Sequence, residues 1–175
     1  MHLLDKNQNV NFSQGNRIYY TLRIASAMCF IGHGSFGIIT KSIWANYFGM
    51  FGIGHAASYS LMPVVGIIDI LFGLMLLFYP IKAVVIWLVL WGFVTALLRP
   101  MSGEPFPEFI ERAGNFGAPL ALLILSGPDN LKNLFRPLHA DIKISDQTLK
   151  SVTLILRIVV CLLLAGHGWL NLIEK

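Results

Sequence analysis

Charge is scarce in this sequence: Asp, Glu, Lys and Arg make up 13% of its 175 residues, too few to clothe a water-facing surface. Cysteine is scarcer still. Cys29 and Cys161 each stand alone inside an apolar run with no CxxC, so neither a dithiol redox pair nor a zinc site is indicated, and both read as buried, inert thiols. A nucleophile elbow, a Walker loop, a dinucleotide fingerprint and a metal-binding HExxH are all missing, which removes the usual support for hydrolase, ATPase and soluble dehydrogenase readings. The formal charge of +4 and pI near 9.2 come from scattered bases that form no stripe, so nucleic acid is not an expected partner. The polar start, MHLLDKNQNVNFSQGN, carries no small-residue cleavage pattern, so no removable signal peptide is expected and the first apolar span acts as the insertion signal.

What the chain has is apolar length. Hydrophobic residues make up 55% and the mean hydropathy is +0.67, and since a bilayer span needs roughly 20 apolar residues, the chain accommodates four or five spans joined by short connections. The expectation is an all-α integral membrane protein: a four-helix bundle plus a fifth C-terminal transmembrane helix, in a lipid bilayer, with no soluble domain. Its divisions are a polar segment over 1–16, the four-helix membrane domain over 17–127, a polar cytoplasmic loop over 128–150 and a final helix over 151–175.

The first span runs from about Tyr19 to Ile39, with Arg17 and Arg23 reaching back toward the near headgroups. Trp44 to Phe51 is too short and aromatic to span and reads as an interfacial or re-entrant segment. The second span, Tyr59 to Tyr79, holds Pro63, Gly66 and an isolated acid, Asp69. The third continues from Lys82 to Leu98, ended by Arg99-Pro100. A fourth helix starts near Pro107 and reaches Ser126-Gly127, and the fifth apolar run is Val152 to Ile173. Lys6, Arg17, Arg23, Lys82, Lys132, Arg136, Lys143, Lys150 and Arg157 fall on one side and Lys41, Arg99, Arg112 and Lys175 on the other, which predicts a cytoplasmic N-terminus.

The first and last spans repeat one pattern at a constant offset. Arg23-Ile24, Gly32-His33-Gly34 and Lys41 correspond to Arg157-Ile158, Gly166-His167-Gly168 and Lys175. Either an internal repeat or common anchoring and close packing of two parallel helices accounts for it.

Candidate functional residues crowd the non-cytoplasmic end: His33, Arg99, Glu108, Glu111, Arg112 and Asn115, with Glu104 among them, Lys41, His55 and His167 as secondary candidates there, and Asp69 as a further one near the middle of the second span. On a continuous fourth helix Glu108, Glu111, Arg112 and Asn115 follow i, i+3, i+4 and i+7 and share one face. That face either ties the third and fourth helices together through pairs with Arg99 and Arg112, or binds an anionic or quinone-like head group, or relays protons. His33 and His167, at equivalent depths, suit a quinone carbonyl, close-packing hydrogen bonds or paired haem ligation, though no CxxCH or four-histidine pattern supports haem. Asp69 could be neutral, pair with Arg23 or a backbone group, or belong to a proton path. No metal centre is expected.

The arginine-led first helix ending in His33-Gly34 with Lys41 beyond, the Asp69-x-x-x-Gly73 run and four spans in a short chain resemble the DoxX-like membrane proteins, over about Arg17 to Gly127. The segment TALLRPMSGEPFPEFIERAGNFGAPLALL is similar to that of a bacterial subgroup of the same family. The resemblance implies a four-helix bundle of the bacterial inner membrane, with His33, Lys41 and Asp69 as family-matched positions. Some such proteins are subunits of thiosulfate:quinone oxidoreductase or partners in redox-stress complexes, and others act in assembly. The long polar loop and fifth span depart from the family pattern. The expected function is a non-autonomous, quinone-linked subunit of a membrane oxidoreductase, working with a membrane-protein partner or as a homo-oligomer. A membrane scaffold or assembly factor is the alternative, and a small-solute transporter the third reading.

Overall fold

The computed structural model describes residues 2–127, 133–138 and 144–173, with side chains described from residue 14 onward. Among these residues the chain is all-helical: α1 (His2–Ile38), α2 (Trp44–Gly49), α3 (His55–Phe78), α4 (Lys82–Met101), α5 (Pro107–Glu111), α6 (Ala113–Leu125) and α7 (Asp146–Ile173). Three of them, α3, α4 and α7, are long and apolar enough to cross a membrane. The expected first span lies in α1, which is long enough but is diluted by Ser26, Gly32, His33, Gly34, Ser35 and Gly37. At 13 residues, α6 is about 20 Å long and falls short of a hydrocarbon core of roughly 30 Å.

A shared core joins Tyr19, Leu22, Ala27 and Phe30 of α1 to Leu76 of α3, Val84, Val85 and Leu88 of α4, Ala121, Leu122 and Leu125 of α6, and Val152 of α7. The α1/α3 pair packs most intimately, because glycines meet across it: Gly34 and Gly37 lie against the backbone of Gly66, and Gly73 against the Ala27 carbonyl. Here α7 lies against α5 and α6, with much of its apolar surface, including Leu154, Leu164 and Leu172, facing outward.

Several boundaries differ from the sequence expectation, each for a local reason. Across the polar segment over 1–16, α1 runs without a break from His2 into the first span. The third helix continues through Arg99-Pro100 to Met101: a proline in the last turn forfeits one backbone bond, and the Ser102 N–H resumes bonding to the Leu98 carbonyl. The fourth helix breaks at Arg112, whose φ of −87° and ψ of 10° separate α5 from α6. The last helix starts five residues before 151, at Asp146, because Ser145 caps it: its Oγ accepts the Thr148 N–H at 3.0 Å.

The described part of the 128–150 segment is anchored. Residues 133–138 close over the α3–α4 turn through Leu138 N–H to Pro80 O (2.7 Å), Ala83 N–H to Leu134 O (2.9 Å) and the Tyr19 hydroxyl to Leu138 O (3.1 Å). Lys82 is buried there and donates to the Gly127 carbonyl at 2.5 Å. Lys132, His139, Asp141, Lys143 and Lys175 lie outside the described residues. Arg23 donates from Nε to the Leu76 carbonyl (2.7 Å) and from a terminal nitrogen to that of Leu77, satisfying carbonyls that the end of α3 leaves open.

Candidate functional site

Asp69 is wholly buried in the middle of α3, where an unpaired carboxyl group would be costly. Its two oxygens are both used. His33 Nδ1 of α1 lies 2.8 Å from Oδ2, and the Trp91 indole N–H of α4 donates to Oδ1 at 2.8 Å. Arg23, the partner considered from the sequence, is ruled out by helix geometry. It lies ten residues before His33, about 15 Å along α1, and therefore meets the end of α3 instead of its middle. The glycine seam sets the dyad, since Gly34 follows His33 directly and packs beside Asp69.

With Nδ1 engaged, His33 turns its remaining edge to a cavity of about 140 Å³, large enough for a small ring or several waters. Trp44 packs against the imidazole with ring centroids 4.8 Å apart, and Tyr47, Phe48, Trp91, Thr95 and Arg99 complete the part that matters chemically. The role open to His33 Nε2 in this space follows from the protons its pair with Asp69 holds. When the His33–Asp69 pair holds a proton on Nε2 as well as one between the partners, the pair is neutral and Nε2 donates. When Nε2 is bare, the pair carries one negative charge and Nε2 accepts.

From the cavity wall a row of ionic contacts leads away across α5 to α7. The Tyr47 hydroxyl donates to Glu104. Arg99 Nη1 reaches Glu104 Oε2 and Glu108 Oε2, each at 2.7 Å, and Arg112 contacts Glu108 at 3.4 Å and Glu111 at 2.8 Å. His167 Nδ1 lies 2.9 Å from Glu111 Oε1. All but His167, whose side chain is 64% exposed, are half-buried, so the row is better shielded than a surface pair yet wet enough to form without the full burial penalty. It ties α4 to α5, and α5 to α7, where the Gly166 backbone approaches that of Glu111 too closely for a side chain.

Burial raises the phenol of Tyr47 well above its ordinary 10.0, and its hydrogen bond to Glu104 pushes the same way. The folded protein thus holds this proton where the unfolded chain releases it. Stability should fall as pH rises past about 10, and Tyr47→Phe should flatten that fall in thermal unfolding measured from about pH 9 to 11. An alkaline slope identical in the variant would show that the phenol does not titrate abnormally.

The candidate residues divide three ways. His33, with Asp69 behind it, and Arg99 meet at the cavity, while Glu108, Glu111, Arg112 and His167 form the adjoining ionic row. Asn115 does not share a face with the charged residues, because the break at Arg112 re-aims it: its Oδ1 accepts the Cys29 thiol at 3.3 Å. Lys41 lies over the Phe36 ring at 4.6 Å, and His55 packs at a tilt on Tyr59, ring centroids 5.3 Å apart, and lines an open depression near Met101 and Gly103. His33 and His167 take different carboxylates and do not line a common space.

Trp44, Tyr47, Trp91 and Thr95 were missed as site residues. Trp91 carried a faint signal, since a buried indole N–H needs an acceptor and Asp69 is the acid its neighbouring helix offers. Among the described residues no three His, Cys, Asp or Glu side chains gather as a metal site. Comparison with family models, with curated proteins and with solved structures returns no match for this chain.

Proposed function

We propose that this is a DoxX-like protein of the bacterial inner membrane that binds a quinone-type ring at its non-cytoplasmic end, as the non-autonomous subunit of a membrane redox complex. In this reading α1, α3, α4 and the broken α5–α6 helix are the four-helix bundle, α7 is the fifth transmembrane helix, and the N-terminus is cytoplasmic. The observation that carries it is His33, backed by fully buried Asp69 and presented to an aromatic-walled cavity beside Arg99. Aromatic walls suit a planar head group by offset stacking, and a histidine–carboxylate pair suits an oxygen that gains and loses a proton. Electrons would come from a partner chain, for which the outward apolar residues of α7 offer surface.

The test is titration of the detergent-purified protein with a short-chain quinone, read by quenching of Trp44 and Trp91 fluorescence. His33→Ala should weaken binding about tenfold while leaving the helical circular dichroism intact. Wild-type protein that neither quenches nor carries quinone in its lipid extract would overturn the reading. A scaffold role would then lead, tested by co-purification of one stoichiometric membrane protein that survives Glu111→Gln.

A further inference from the structure

The hydrogen-bonding polarity of the cavity goes further than its shape. Two hydroxyl groups line it, and both have committed their protons elsewhere: Tyr47 to Glu104, and Thr95 to the Trp91 carbonyl at 2.9 Å, with the Gly92 carbonyl at 3.2 Å. A hydroxyl has one proton and two lone pairs, so each of these offers the cavity lone pairs alone. The Trp91 indole N–H is likewise committed, to Asp69.

A ring whose oxygens are carbonyls can only accept. Against Tyr47 and Thr95 it would set lone pair against lone pair, an arrangement that satisfies neither side. A ring whose oxygens are hydroxyls meets the same wall well. Each O–H donates to a waiting oxygen, and the same ring oxygen can still accept an N–H from Arg99, whose guanidinium carries more donors than the Nη1 engaged with Glu104 and Glu108. His33 Nε2 accommodates either form, as its donor or acceptor role follows the protonation of its pair with Asp69.

We propose that the cavity selects the reduced, hydroxylated ring, a hydroquinone or related dihydroxyarene, over the corresponding quinone, with Tyr47 and Thr95 as the acceptors that set the preference. This rests on the ring-binding reading above and names the oxidation state of its ligand.

Anaerobic calorimetric titration of the full-length protein with duroquinol and with duroquinone tests it. Wild-type protein should bind duroquinol about tenfold more tightly than duroquinone. Tyr47→Phe, which keeps the ring and removes the acceptor, should weaken duroquinol binding and, by removing the opposed lone pair, leave duroquinone binding unchanged or tighter, so that the ratio between the two narrows. Thr95→Val provides the same comparison at the second hydroxyl should the first variant fold poorly. Equal or reversed affinities in the wild type, or an unchanged ratio in both variants, would overturn the selection while leaving ring binding in place. Failure of both rings to bind would remove the ring-binding reading and this inference together.

Discussion

Replacing Asp69 with alanine should cost about 2–4 kcal/mol of stability, while Asp69→Asn should stay within about 1 kcal/mol of wild type. The alanine variant removes the acceptor that His33 Nδ1 and Trp91 Nε1–H share at a buried position. Asparagine keeps a carbonyl oxygen for the indole and can direct its amide N–H at a bare Nδ1, which moves the imidazole proton to Nε2. Asp69→Asn should therefore fold, bind a ring ligand and lose the ability to accept a proton from it, separating the structural and chemical parts of the dyad. Thermal unfolding in detergent checks the first part, and the ultraviolet difference spectrum of bound duroquinol, which reports whether a ring oxygen has passed its proton to Nε2, checks the second. An alanine variant within about 0.5 kcal/mol of wild type would mean that neither donor depends on Asp69.

The second large effect is a contrast between two glycines that flank one histidine. A Cβ on Gly34 would drive into the Gly66 carbonyl of α3 and lie 2.8 Å from Ile70 Cγ1 and 3.1 Å from Asp69 Cβ, whereas one on Gly32 meets nothing within 4 Å. Since the nearest obstacle is backbone, no rotamer change relieves it and the helices must part. Gly34→Ala should lose about 2–3 kcal/mol and, by separating α1 from α3, stretch the His33–Asp69 contact and weaken ring binding. Gly32→Ala should be neutral or stabilise by up to about 1 kcal/mol through helix propensity. Paired melting curves decide it, and equal losses at both positions would show that the seam does not set the helix separation.

The parts of the site legible in advance were those governed by scarcity. An acid in an apolar helix, or a histidine between glycines, is costly enough to stand out in a membrane-like sequence, and so Asp69, His33 and the charged residues around Arg99 could be singled out. Their grouping could not. Asn115 follows Glu108 by a helical interval, but one non-helical residue, Arg112, rotates everything after it, and a break of that size leaves no mark in the i, i+3, i+4 spacing. The aromatic wall was hidden for a different reason. In a chain this apolar, Trp44, Tyr47 and Trp91 look like any interfacial or packing aromatic until a neighbouring helix supplies the partner for the N–H or O–H.

The sequence by itself determined the helical character and three of the expected apolar spans, because these follow from periodicity and from unbroken apolar length along one segment. Only the tertiary structure decided that Asp69 meets His33 and Trp91 instead of Arg23, that the charged residues string into a row from Tyr47 to His167, and that a cavity opens between them. Those choices depend on the depth at which α1 and α3 interlock through Gly34 and Gly66, a register between segments distant in sequence that no local pattern encodes.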